Sequence, residues 1–357
     1  MSSPKKVLIM AGGTGGHVFP ALAVAAELRS RGVTLDWLGT SAGIEAELVP
    51  ANGIPLHVIA VQGVRGKSLA TRLLAPVKIV RAVLQALAKV RALAPDAVIG
   101  LGGYASGPGG LAARLLGIPL VIHEQNAVAG TTNRILSRIA ARVLQGFPGA
   151  FPAGEVTGNP VRADIASLPS PEARDVGGHR PLRLLVLGGS LGAQAINEMV
   201  PGALALLADP AVVEVRHQCG RRHGETTGAA YREAGVAAAI EPFIGDMAEA
   251  YGWADFVVCR AGALTVSELA AAGVGALLIP FPAAIDDHQT RNGEWLVAGG
   301  AALLIQQRDL TPQRLAELLA ELAEHPAKMT EMAVNARALA IGDAGRRVAD
   351  VCLEVMR

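Results

Sequence analysis

The sequence predicts an α/β chain of two similar units, and three observations carry this. First, 51% of the 357 residues are hydrophobic but only 3% are aromatic, and glycine is frequent at 42. A core of small aliphatic residues with many glycine turns suits helices packed closely on sheets. Second, a pattern of strand, glycine turn and helix opens the chain at Val7–Ala11 and returns at Leu184–Leu187. Third, residues 146–181 contain Pro148, Pro152, Pro160, Pro169, Pro171 and Pro181, which marks the best domain boundary. The length allows each half its own core. The expected domains are 1–162 and 163–341, with a C-terminal helix, 342–357, packing back on the first.

Composition excludes several classes. Cys219, Cys259 and Cys352 are far apart and form no C-x-x-C, which argues for a reducing compartment and against a zinc site or disulfide frame. The start runs from Lys6 straight into a strand, without a long apolar leader. The uncharged stretch Leu269–Ile285 holds two Gly and two Pro and reads as helix, turn and buried strand rather than a membrane span. Charge is uneven: residues 1–162 carry 16 Lys and Arg against 7 Asp and Glu, and residues 163–357 carry 16 against 24. The basic half is the one expected to meet an anionic surface.

In order, Val7–Ala11 reads as a buried strand, Gly12-Gly13-Thr14-Gly15-Gly16-His17 as a tight turn able to approach an anion, and Pro20–Leu28 as a helix with proline in its first turn. The turn is no dinucleotide fingerprint, because Val18 stands where the last glycine is required. His17, where turn becomes helix, reads as a general base or a hydrogen-bonding partner, with a structural helix-start histidine as the alternative. Residues 48–95 contain no Asp or Glu; Arg65, Lys67, Arg72, Lys78, Arg81, Lys89 and Arg91 lie among apolar residues. Val77, Val80, Leu84 and Leu87 recur at helical spacing. Such a face suits an anionic membrane surface, the alternative being a helix packed on the sheet with snorkelling cations. Aromatic residues for stacking nucleic acid are missing there. Ala97–Gly100 reads as a strand leading into the glycine-rich loop Gly102–Gly110, and Leu120–His123 as a strand leading into Glu124-Gln125-Asn126. Polar residues there sit at a strand's carboxyl end, where such folds place ligands, the alternative being that His123 and Glu124 make structural hydrogen bonds. Arg162, inside Gly158-Asn159-Pro160-Val161-Arg162, is positioned to bridge domains or meet a phosphate.

The second unit opens with the strand Leu184–Leu187, the turn Gly188-Gly189-Ser190-Leu191-Gly192-Ala193 and a helix from Ala195. A strand at Val213–Gln218 and the stretch Phe243-Ile244-Gly245-Asp246-Met247 follow. The chain is organised around Cys259–Glu268, which lies between the strand Phe256–Val258 and an alanine-rich helix, Leu269–Ala272. This turn brings free backbone N–H groups, a partial positive dipole and the hydroxyls of Thr265 and Ser267 to one point, a seat for phosphate. Glu268, about one turn into the helix, is placed to accept from a ribose diol. An ordinary turn with a Ser/Glu cap is the plain alternative. After the strand Leu277–Pro280, Gln289 and Asn292 are three apart, on one helical face, as amides for sugar hydroxyls. Two helical patterns follow Thr311, the last over Ala344–Met356.

Together, Gly12–His17, Gly102–Gly110, His123-Glu124-Gln125-Asn126, Gly158–Arg162 and Ala263–Glu268 resemble the MurG family of bacterial peptidoglycan N-acetylglucosaminyltransferases, in order and over nearly the whole chain. The resemblance implies two Rossmann-like domains facing across a cleft, the GT-B architecture. It implies transfer of N-acetylglucosamine from UDP-N-acetylglucosamine to lipid I, undecaprenyl-diphospho-N-acetylmuramoyl-pentapeptide, giving lipid II. By the same resemblance, the Ile244 backbone reads uracil and Ala263, Leu264, Thr265, Val266 and Ser267 lie along the nucleotide. Glu268 holds the ribose, Ser190 the diphosphate, and Gln289 and Asn292 the sugar. Thr14, Gly15, Gly16 and Asn126 contact sugar or acceptor, with Arg162 near the domain boundary. Leu191 stands where the family often has Gln. Implied partners are UDP-N-acetylglucosamine, lipid I, the anionic cytoplasmic face of the inner membrane, and other cell-wall synthesis and division proteins; nucleic acid is not among them.

An inverting hexosyl transfer needs a base for the acceptor hydroxyl and stabilisation of the leaving UDP. His17 is the preferred base and Glu124 the second candidate. The chain has no Asp-x-Asp motif, so no cofactor and no essential bound metal is expected. A UDP-sugar epimerase, a transferase for another acceptor, and a non-catalytic nucleotide-sugar-binding subunit stay open as alternatives; a nicotinamide oxidoreductase is disfavoured by the failed fingerprint.

Overall fold

The computed structural model describes residues 4–61, 75–178, 180–189 and 192–356. Arg65, Lys67, Arg72, Ser190 and Leu191 therefore lie outside the described residues. The chain divides into two compact units, Met1–Arg162 with Asp343–Arg357, and Ala163–Gly342.

The first unit runs β1 (Lys6–Met10), α1 (Gly15–Ser30), β2 (Thr34–Gly39), α2 (Glu45–Ala51), β3 (Leu56–Val58), α3 (Ala75–Leu93), β4 (Ala97–Gly100), α4 (Ser106–Leu115), β5 (Leu120–Glu124), α5 (Thr131–Leu136), β6 (Arg142–Gln145) and β7 (Glu155–Val156). Its strands lie in the order β3-β2-β1-β4-β5-β6-β7, with β1 parallel to both β2 and β4. A parallel sheet is covered on both faces, so its strands are apolar throughout. Strand alternation splits β1 between two cores. Val7 and Ile9 pack with Val24 and Leu28 of α1, whereas Leu8 and Met10 pack with Ala112 and Ala113 of α4. The C-terminal helix, Ala344–Glu354, adds Val348, Ala349 and Cys352 to the first of these cores.

One expectation changes here, and one alternative is decided. Helix α1 starts at Gly15, so Pro20 lies inside it and forfeits the bond its N–H would make to the Gly16 carbonyl. In α3 the buried line is Ala82, Ala86 and Val90, while Val77, Val80 and Leu84 are 67%, 58% and 60% exposed. The small side chains let α3 approach the sheet and leave the larger ones outside.

The second unit runs α6 (Ala163–Ala166), β8 (Leu182–Leu187), α7 (Gln194–Leu204), β9 (Val213–Gln218), α8 (Gly224–Glu233), β10 (Ala239–Glu241), α9 (Met247–Trp253), β11 (Phe256–Cys259), α10 (Ala263–Ala272), β12 (Gly275–Leu278), α11 (His288–Ala298), β13 (Ala302–Leu304), α12 (Pro312–Glu324) and α13 (Ala327–Leu339). Its parallel sheet has the order β10-β9-β8-β11-β12-β13. The carboxyl end of α10 is held by two guanidinium groups. Arg174 donates to the carbonyls of Tyr251 at 3.0 Å, Gly273 at 2.8 Å and Ala272. Arg337 donates to Ala271 and, at 2.9 Å, to Leu168.

Strand order reverses between β1 and β4 in one unit and between β8 and β11 in the other. Open α/β sheets bind ligands beyond the strand carboxyl ends at such reversals. The turns after β1 and β4, and those after β8 and β11, are the glycine-rich turns read from the sequence.

Candidate active site

Helix α10 begins at Ala263, with Gly262 as its N-cap in extended conformation and no side-chain cap. The first N–H to bond back is that of Val266, to the Gly262 carbonyl at 2.9 Å. The N–H groups of Ala263, Leu264 and Thr265 thus find no partner among the described residues. Three unclaimed donors at a helix N-terminus form a seat for an anion. This start agrees with the reading of Glu268 about one turn into the helix and corrects the reading of Ser267. It puts Ser267 inside the helix, where its hydroxyl donates to the Ala263 carbonyl at 3.0 Å instead of standing at the turn. Glu268 is 7% exposed and accepts from the Tyr251 hydroxyl at 3.2 Å. Five residues past Ala263, it sits about 7.5 Å further along the axis at about 1.5 Å per residue, near the span from a diphosphate to a ribose diol.

Around this helix the amides take different roles. Gln289 Oε1 accepts from the Phe281 N–H at 2.9 Å, and two consecutive left-handed residues, Asp286 (φ 54°) and Asp287 (φ 51°), lead into its helix. Asn292 is fully buried, and its Nδ2 donates to the Ala261 carbonyl at 3.2 Å. That bond braces the turn entering α10. The Ile244 side chain is buried, and among the described residues no hydrogen bond claims its backbone amide or carbonyl. Ser190 lies outside the described residues.

In the first unit the two glycine turns touch. A Cβ on Gly103 (φ 86°) would meet the Gly12 oxygen at 2.5 Å, and one on Gly102 (φ 101°) would meet His17 Nδ1 at 2.5 Å. Thr14 is the N-cap of α1, so Gly15, Gly16 and His17 form its first turn. His17 Nδ1 lies 3.1 Å from Gln125 Oε1. Beneath the turn, fully buried Glu45 accepts from the Gly13 N–H at 2.8 Å and from the Thr40 hydroxyl at 2.7 Å. Burial raises its pKa, but the bonds from Thr40 and Gly13 outweigh that and hold it below the usual 4.5. The Gly13 N–H is therefore withdrawn from any ligand anion, a correction to the reading of this turn as a whole.

Glu124 is also a brace. It is 2% exposed. One oxygen accepts from the Asn126 N–H at 3.0 Å and Nδ2 at 3.1 Å, the other from the Gly130 N–H at 3.0 Å and Asn133 Nδ2 at 2.9 Å. With both oxygens occupied, this carboxylate is poorly placed to take a proton, which speaks against it as the base. Arg162 lies over the Phe19 ring of α1, 5.8 Å from its centroid. Sequence reading gave no role to Glu45, Gln125 or Tyr251; only the position of Gln125 after β5 was a signal.

Two doubly wound units, one with an uncapped helix N-terminus beside a buried carboxylate, fit the GT-B class of nucleotide-sugar enzymes. Comparison with known proteins carries this to the family. The glycosyltransferase family 28 N-terminal domain model matches residues 7–145, and the C-terminal domain model residues 183–348. A UDP-N-acetylglucosamine–N-acetylmuramyl-(pentapeptide) pyrophosphoryl-undecaprenol N-acetylglucosamine transferase of Ectopseudomonas mendocina is 56% identical, covering 98% of this chain and 99% of its own. A transferase of the same name from Marinobacter nauticus is 55% identical, covering 99% and 98%. The crystal structure of Acinetobacter baumannii MurG superposes with a TM-score of 0.85 at 47% identity, covering 98% of this chain and 100% of that one. The chain belongs to the MurG family of glycosyltransferase family 28.

Proposed function

We propose that this chain transfers N-acetylglucosamine from UDP-N-acetylglucosamine to lipid I, forming the β-1,4 bond of lipid II in peptidoglycan synthesis. The observation that carries the donor assignment is the uncapped start of α10 with Glu268 further along the same helix. The three free N–H groups take the diphosphate, Glu268 takes the ribose hydroxyls, and the Ile244 backbone reads the base. The acceptor hydroxyl attacks the anomeric carbon with inversion and gives its proton to His17. The bond from the anomeric carbon to the diphosphate oxygen breaks, and UDP leaves with the electron pair. Backbone donors and the helix dipole meet the developing charge, so no step is assigned to a bound metal. Thr14, Gly15, Gly16, Asn126 and Arg162 belong to the acceptor side of this reading.

We also propose that the first unit lies on the anionic cytoplasmic face of the inner membrane. Among the described residues no helix is long and apolar enough to cross a membrane. Instead α3 exposes Val77, Ile79, Val80 and Leu84, and Lys78, Arg81, Lys89 and Arg91 lie on the same helix. Apolar residues among cations and without acids favour an anionic leaflet, at about 1 kcal/mol for each cation near the surface.

The test is transfer of labelled N-acetylglucosamine to a lipid I analogue by the purified chain, with EDTA and a Glu268→Ala control. Turnover that survives EDTA and collapses in the variant is the expected result. Undiminished turnover in the variant overturns the ribose assignment. Turnover lost to EDTA and restored by a divalent cation overturns the metal-free chemistry. No turnover, with the donor still bound, returns the choice to an epimerase or a binding subunit.

A further inference from the structure

We propose that Gln125 is a positioning residue that fixes the tautomer of His17, placing the lone pair on Nε2. The catalytic meaning rests on His17 as proton acceptor; the tautomer itself follows from geometry. The chain of bonds starts at Gly158, whose carbonyl oxygen lies 2.9 Å from His123 Nε2. A carbonyl only accepts, so His123 carries a proton on Nε2. His123 is fully buried. Desolvation lowers its pKa against the opposing effects of the Gly158 bond and the Glu124 charge, the direction that favours the neutral ring with Nδ1 as acceptor, the role its Gln125 neighbour also requires.

Gln125 comes next. Its side-chain nitrogen lies 3.2 Å from that Nδ1 and 3.3 Å from the His123 carbonyl oxygen. Both neighbours accept, so the amide nitrogen must face them; a flipped amide would set oxygen against two lone pairs. Gln125 Oε1 therefore faces His17 Nδ1, 3.1 Å away. An amide oxygen only accepts, so His17 Nδ1 donates, and in neutral His17 the lone pair is on Nε2. Free histidine side chains favour the opposite tautomer, with the proton on Nε2, so the relay inverts the intrinsic preference. Gly102 closes the other side of the ring, since even a Cβ there would meet Nδ1 at 2.5 Å. Among the described residues no hydrogen bond claims His17 Nε2. As the acceptor O–H breaks, its proton moves to Nε2, and the bond from Nδ1 to Gln125 becomes charge-assisted.

The experiment is long-range proton–nitrogen correlation on the full chain labelled with 15N-histidine, with the His17 signals identified by their loss in His17→Asn. The proton is expected on Nδ1 of neutral His17 in the wild-type chain; a proton on Nε2 overturns the proposal. In Gln125→Leu the tautomers should mix, and kcat should fall on the order of 10²-fold with KM for UDP-N-acetylglucosamine changed by less than about twofold. Near-normal kcat in folded Gln125→Leu overturns the positioning role, and the wild-type spectrum decides the tautomer even if that variant does not fold. A proton on Nδ1 combined with normal turnover in His17→Ala keeps the relay and removes His17 as the base.

Discussion

Replacing Glu124 by glutamine separates a brace from a base. The carboxylate has four donors around it. Glutamine keeps one oxygen for the two Asn126 donors and turns an NH2 toward the Gly130 N–H and Asn133 Nδ2. Part of this is repairable, because Asn133 Oδ1 makes no hydrogen bond and a flipped Asn133 amide can accept from the new NH2. The flip gives up the 3.3 Å bond from Asn133 Nδ2 to the His123 carbonyl and leaves the Gly130 N–H without an acceptor. At about 1 kcal/mol for each of the two hydrogen bonds lost, the variant should lose about 2 kcal/mol. For a unit of this size that lowers Tm by roughly 4–8 °C. Thermal melts of the purified variant, run beside transfer kinetics, check this. Glu124→Gln should melt earlier and keep most of its kcat below the transition. A wild-type melt with a thousandfold drop in kcat would refute the brace and restore Glu124 as proton acceptor.

Other expectations follow from the same accounting of partners. Val80→Asp with Leu84→Asp, both exposed, should leave the melting curve unchanged and weaken binding to anionic vesicles at least tenfold. Two apolar side chains removed from lipid are worth about 3 kcal/mol or more; unchanged sedimentation with vesicles would refute the membrane face. The Glu45 carboxyl has a folded pKa below its ordinary 4.5, so its contribution is present above that pH and is lost as pH falls through the folded value. Acid titration of stability should show this loss, and Glu45→Gln should flatten it. His217 is pushed down to about 4 by burial and stays neutral in the fold. Its share of stability is complete above the ordinary 6.5 and is lost as pH falls from there to about 4; the denaturant midpoint of His217→Gln should be less sensitive to pH across that window.

Much of this was legible in the chain. β1 and β11 announce themselves as apolar runs ending in glycine turns, and periodicity placed the helices. The start of α10 was only loosely bounded, with Glu268 one turn in but Ser267 still read at the turn, because Gly262 caps it with backbone alone and leaves no side-chain signature. The α3 spacing found the apolar stripe, whose membrane-facing reading has Val77, Val80 and Leu84 exposed, as they are; which residues pack inward was not legible. That was decided by Ala82, Ala86 and Val90, whose small bulk lets the helix close on the sheet. Gln125 and Glu45 were silent for a different reason. Their partners are 108 and 32 residues away, and no local pattern encodes a bond that the topology creates. Glu124 stayed open in the sequence between two roles because a polar residue at a strand's carboxyl end looks the same whether it faces a ligand or ties down its own loop.

The two guanidinium groups at the far end of α10 bear on how the second unit can be cut from the chain. Its sequence-family match begins at residue 183 and ends at 348. A fragment with those ends would lack Arg174, leaving the carbonyls of Tyr251, Ala272 and Gly273 without their donor. It would also lose the Gly177 N–H that donates to the buried Asp255 carboxylate at 2.9 Å, and it would carry a stub of the helix Ala344–Glu354, which belongs to the other core. The inheritable module and the self-sufficient fold therefore have different borders. A piece meant to bind nucleotide alone should run from Ala163 to Gly342, keeping the linker as the anchor of the helix proposed to meet the phosphates.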